Sequence, residues 1–209
     1  NKTPTDFYEI SGCRVNKIIF KERLMSITNS ELGPLVVLLG KWQGESGEDI
    51  APEPDGIEEN AYYETLEFKA VPDVENAEEQ TLTTLQYEQL VRRKTNDKVL
   101  HHQVGYWTWD AEAEVVCNSF TIARRVAVLA GGTIEKSNQQ TTFSVSAKKG
   151  NASWGIIEAE FMSKKASTTS FNQTLTVEGD ILSYQQTILV DIYGTKQFEH
   201  TDENTLRRV

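Results

Sequence analysis

Three histidines carry most of the chemistry this sequence can offer. His101 and His102 stand side by side in VLHHQVGYWTWD (99–110), and His200 lies in FEHTDENTLRRV (198–209). A neutral imidazole can hand a nitrogen lone pair to a metal or pass a proton near neutral pH. The segment around the pair is rich in valine and aromatics and has no proline, which reads as a β-strand. Side chains alternate along a strand, so only one of the two neighbours can face an interior. If the fold brings His200 to the same side, two imidazoles share one cavity. The plainer alternative is one solvent-facing and one hydrogen-bonded core histidine, with His200 a surface residue in polar company.

Other reactive patterns are absent. There is no G-x-S-x-G elbow, phosphate loop or H-E-x-x-H pair. Glu158 and Glu160 fall on one face of a short predicted strand, opposite Ile157 and Phe161, and are expected to be exposed and solubilising. EDIAPEPDGIEEN (48–60) has prolines and glycine among carboxylates and reads as a solvated loop. Calcium is the alternative there, but the spacing is not that of an EF-hand. Cys13 and Cys117 suggest neither a disulfide framework nor a zinc site. Cys117 reads as a small core residue, and a reducing cytoplasm is the expected compartment.

At 209 residues, the chain has room for one domain with a real core. The net charge of −10, with no basic cluster in the sequence to offset it, argues against a nucleic-acid partner. No apolar run is long enough to span a bilayer.

The elements that must position the histidines follow from periodicity. Residues 1–30 carry only a weak helical stripe (Val15, Ile18, Ile19, Leu24) and read as an N-terminal arm. A short helical turn is expected over Leu35–Leu39, capped by Asn29 or Ser30, and leads into a glycine-rich strand around Trp42. After Asn60 the pattern is one of alternating strands joined by short turns, from Tyr62–Ala70 through Leu182–Val190 to a last strand in Gln197–Val209. About ten sequential antiparallel strands without helices predict an all-β, up-and-down barrel of lipocalin or fatty-acid-binding shape over residues 31–209. A sandwich is the rival. Asn118, Gln173 and Gln186 interrupt the inward apolar faces. Either they line a cavity holding water or a ligand, or a bulge has shifted the register and turned them outward.

Three separated segments resemble one family. LGPLVVLLGKWQGESG, with Gly40, Trp42, Gly44 and Gly47, looks like the G-x-W-x-G-x-G opening of the nitrobindin-like, heme-binding β-barrels. LHHQVGYW is similar to that family's H-x-x-x-G-Y segment, and alignment on Gly105 and Tyr106 puts His101 at its pocket histidine. EHTDENTLRRV resembles the closing strand that carries the iron-binding histidine, a role that falls to His200. The resemblance implies heme b, with His200 as the metal ligand and His101, Trp42, Gly40 and Gly44 at the cofactor site. It also implies nitric oxide binding and peroxynitrite isomerisation, an enzymatic activity only when heme is bound. Two departures stand out. The acidic run Glu48–Glu53 replaces the family's Tyr-Pro-Thr-Ile stretch, and one extra residue separates His200 from Leu206. The alternatives are a carrier of another small apolar ligand, such as a lipid, and an interaction module whose arm and acidic segment meet a partner, for example in a homodimer.

Overall fold

A computed structural model describes residues 32–209. The predicted arm, Cys13 and the predicted caps Asn29 and Ser30 lie outside the described residues.

The wall is all antiparallel. Its strands are β1 (Gly40–Glu53), β2 (Gly56–Asn76), β3 (Gln80–Arg93), β4 (Val99–Asp110), β5 (Val115–Ile122), β6 (Val126–Lys136), β7 (Gln140–Lys148), β9 (Ala166–Glu178), β10 (Ile181–Ile192) and β11 (Thr195–Arg208). Each pairs with the next, β7 with β9, and β1 closes against β11, so ten strands form a ring. Closure leaves few exposed sheet edges. A short β8 (Ile156–Glu158) pairs with Val126–Val128 of β6, beside the half of β6 that β7 does not reach. The expected barrel is therefore present, and the sandwich is not.

Alternation sets the interior. Leu66 and Phe68 of β2, Leu85 and Tyr87 of β3, Trp107 of β4 and Phe143 of β7 are all buried. One end of the barrel is capped. A 3-10 turn, Gly33–Leu38, buries Leu35 and Leu38 there, with Gly33 in the left-handed region at φ 53°. Trp42 donates its indole N–H to Leu38 O at 2.8 Å, and the Arg208 guanidinium lies 4.0 Å over its ring. Arg208 also donates to the carbonyls of Val37 and Leu39. The turn packs beside the end of β4, near Trp109. His101 sits eight residues up that strand, about 26 Å away at strand rise. The histidine end is thus the uncapped end.

Four sequence expectations are corrected. The acidic stretch 48–60 is not a loop: it forms the end of β1 and the start of β2, joined at Pro54 and Asp55. Pro52 is tolerated because β1 has lost its β11 neighbour by then, the last pair being Ile50 with Thr201. Residues 157–161 are not one strand. The chain leaves β8 at Glu158 and forms a helix, α1 (Glu160–Lys165), which is anchored on the core by Met162. Glu158 is not exposed: its fully buried side chain accepts from Lys149 Nζ at 2.7 Å, from Ser167 Oγ and from the Thr168 N–H. Cys117 faces outward on β5 and is only half-buried.

Gly47 has a specific task. A Cβ there would lie 2.1 Å from the Tyr62 ring, which packs flat against the bare backbone. Gly47→Ala is expected to cost about 3 kcal/mol, read as a drop in Tm of roughly 6–12 °C.

Candidate functional site

At the uncapped end, His101 of β4 and His200 of β11 both face inward, close enough for His200 to act electrostatically on His101. His102 points out and pairs with Glu88 at 2.7 Å. From His200 to Arg207, β11 pairs with β10 without a register shift, so His200 keeps the inward parity of Asp202, Asn204 and Leu206 despite the extra residue.

His101 heads a chain of hydrogen bonds across the barrel. Its Nε2–H donates to Gln103 Oε1 at 3.0 Å, and Gln103 donates to the Tyr87 hydroxyl. Tyr87 donates to Asn118 Oδ1 (2.9 Å), Asn118 to Gln173 Oε1 (3.2 Å) and Gln173 to Gln186 Oε1 (3.3 Å). These are the polar residues the sequence placed inside. They satisfy one another, as buried polar groups must. Burial holds the His101 pKa below its ordinary value, with Arg124 and His200 pushing the same way and Gln103 and Asp49 opposing. His101 is therefore neutral at physiological pH, and with Nε2 donating, its lone pair sits on Nδ1.

A second network has no cation in it. Glu64, 2% exposed, accepts from Gln89 Nε2 (2.7 Å), Tyr184 OH (2.9 Å) and Asn204 Nδ2 (2.8 Å). The Tyr184 and Tyr62 hydroxyls are 2.8 Å apart, and Tyr62 also meets Asp202. Four oxygen-bearing groups in a row make three contacts, but two phenols supply only two protons. A single carboxyl proton on Asp202 or Glu64 completes the row. Burial pushes both acids up, Asp202 to about 7 with Glu64 and Asp49 adding to the rise. Gly44 permits this arrangement, since a Cβ there would meet Asn204 Nδ2 at 2.9 Å and Thr205 O at 2.8 Å.

His200 is held. Its Nε2 lies 2.6 Å from Asp49 Oδ1, with both side chains partly buried. Asn60 fixes the other Asp49 oxygen at 3.2 Å and reaches Glu58, which pairs with Arg93 at 3.0 Å. The acidic run thus provides a carboxylate at the ring nitrogen through which the histidine would otherwise bind a ligand.

Of the residues singled out in the sequence, the structure brings together His101 and His200. Gly44 lies beneath them, at Asn204. Trp42 and Gly40 belong to the capped end, where Trp42 is fully buried and committed to Leu38 and Arg208. Sequence reading missed Asp49, Tyr62, Glu64, Tyr184 and Asp202 as a network. Glu64 was detectable, because it occupies the inward slot between Tyr62 and Leu66. Among the described residues, no cluster of three or more His, Cys, Asp or Glu side chains is arranged to hold a bare metal ion.

The family model for the THAP4-like, heme-binding β-barrel domain matches residues 31–208. The chain belongs to this family. Twelve solved chains also match. One, Rv2717c from M. tuberculosis, is 22% identical with a TM-score of 0.62 over 86% of this chain and 96% of its own, a likeness of fold. No curated protein matches. For this member of the THAP4-like barrels, the family and the ten-stranded closed wall agree with the segments at Gly40–Gly47, His101–Trp107 and His200–Arg207. No described helix is long and apolar enough to cross a membrane.

Proposed function

We propose that this barrel holds ferric heme at its uncapped end through His200, with neutral His101 as the polar wall of the same site. The observation that carries the reading is the convergence of two inward imidazoles at the end opposite the 3-10 turn. Family membership adds to it.

The donor set fits. His200 would supply the nitrogen to ferric iron once Nε2 leaves Asp49, while Gln103 fixes the His101 ring. The interior beneath is packed, with an enclosed space of about 10 Å³ among Tyr87, Gln103, Asn118 and Gln173. That is room for about one water. Heme would therefore lie at the mouth, above the polar networks, and an acyl chain has no hollow to fill. When bound, ferric heme would supply a coordination position for nitric oxide or peroxynitrite, the chemistry that the family resemblance implies.

Titration with hemin tests the reading. A Soret band is expected to form with a 1:1 endpoint, to be lost in His200→Ala, and to persist with a shifted maximum in His101→Ala. No band in the unmodified protein, or an unchanged band in His200→Ala, overturns it.

A further inference from the structure

Basic side chains gather along one arc of the uncapped end. Three successive lips of the uncapped end are the β3–β4 turn (92–98), the β5–β6 turn (122–126) and the β7–β9 connection with α1 (148–165). Together they carry ten Lys and Arg against three Asp and Glu, within a chain of net charge −10. At the capped end, the turns at 75–79, 110–114 and 178–180 carry eight carboxylates and no Lys or Arg. The basic residues are scattered along the sequence, and the barrel gathers them into one arc.

Within that arc stand two of the most exposed large apolar side chains, Phe161 at 71% and Ile157 at 76%. They flank Ala159, whose N–H is fastened to Arg125 O at 3.0 Å, so the β5–β6 turn and α1 form one rim. Met162 turns inward and holds the helix on the core, leaving Phe161 facing solvent. Lys165 lies one helical turn after Phe161 on the same side, and Lys164 is paired with Glu160. Lys149 is tied to buried Glu158. The acidic β1–β2 hairpin and the β10–β11 turn (192–195) form the other sides of the mouth, so the charge favours contact with an anionic surface through the arc alone.

An exposed phenylalanine and isoleucine ringed by cations match an interface with anionic headgroups, with the apolar pair inserted and the lysines and arginines at the phosphates. We propose that the uncapped end docks on an anionic lipid surface through Phe161 and Ile157 and the surrounding basic arc. The arc with Phe161 and Ile157 then faces the bilayer, and the acidic β1–β2 hairpin on another side of the mouth is tilted away from it. The proposal stands on the surface alone and does not require heme.

Flotation with vesicles of phosphatidylcholine containing 30% phosphatidylglycerol, against phosphatidylcholine alone, tests it with the full chain. At low salt the protein is expected to float at least about tenfold more with the anionic vesicles, and to be released by added salt. Phe161→Ser with Ile157→Ser, and separately Lys164→Glu with Lys165→Glu, are expected to abolish flotation while Tm and the hemin titration stay unchanged. Equal binding to both vesicles, no binding to either, or undiminished flotation of the variants overturns the proposal. So does conversion of a dimer to a monomer by Phe161→Ser with Ile157→Ser, which would assign the patch to a second copy of the chain. Loss of the hemin band with flotation intact would overturn the heme reading and leave this one standing.

Discussion

Asp49→Ala is expected to tighten hemin binding about tenfold to a hundredfold. The carboxylate lies 2.6 Å from His200 Nε2 and is braced by Asn60, so ligation through Nε2 must first break this bond. A charge-assisted hydrogen bond in a partly buried setting is worth about 1.5–3 kcal/mol, and each ~1.4 kcal/mol is tenfold in affinity. Asp49→Glu keeps a carboxylate in reach and is expected to stay near the unmodified protein. The double variant Asp49→Ala with His200→Ala is expected to lose the gain, which ties the effect to this imidazole. Spectral titration checks all three. Unchanged or weaker binding in Asp49→Ala would show that the carboxylate does not compete for His200.

Thermal stability is expected to fall as pH rises from about 6.5 to 8. Asp202 has a folded-state pKa of about 7, against an ordinary value of 3.8, because of burial, with Glu64 and Asp49 nearby. Glu64 is raised by burial too. An acid whose folded pKa is raised contributes stability that is complete below its unfolded value, near 4. That contribution is lost as pH climbs through the folded value. His101, lowered by burial, works the other way and weakens the fold as pH drops below about 6.5. The clean window is therefore above that pH. With a folded value of about 7 the proton is lost across this window, for a total of about 1 kcal/mol, or roughly 2–4 °C in a domain of this size. Glu64→Gln removes one of the two acids that share the proton and keeps its volume, and is expected to show less than half of the fall. Scanning calorimetry at several pH values decides it. A flat or rising Tm in the unmodified protein would mean that the Tyr62–Tyr184 row does not hold an extra proton.

Alternation along strands carried most of what could be read in advance. It showed that only one of His101 and His102 could face inward, and it set Asn118, Gln173 and Gln186 on inward faces unless a bulge had slipped the register. Where reading failed, a local signal was overruled by tertiary context. Pro52 and Pro54 spelled a loop, but only Pro54 lies in the hairpin turn, and Pro52 sits in a strand that has already lost one neighbour and tolerates a missing N–H. Glu158 looked like an outer carboxylate because its partners, Lys149 and Ser167, come from segments on either side of β8 and α1. The Tyr62–Glu64–Tyr184–Asp202 row draws on β2, β10 and β11, and no sequence spacing links them. Likewise the basic arc is invisible in a chain whose net charge is strongly negative.

The seal between β1 and β11 joins the beginning of the wall to its end, and Arg208 clasps the carbonyls of Val37 and Leu39 across it. A chain emerging from the ribosome therefore cannot complete its ring until the last strand is made. Until then it presents two raw sheet borders, at β1 and at the strand most recently made, through most of its synthesis. Such a nascent sheet is a natural client for a chaperone that shields unpaired backbone.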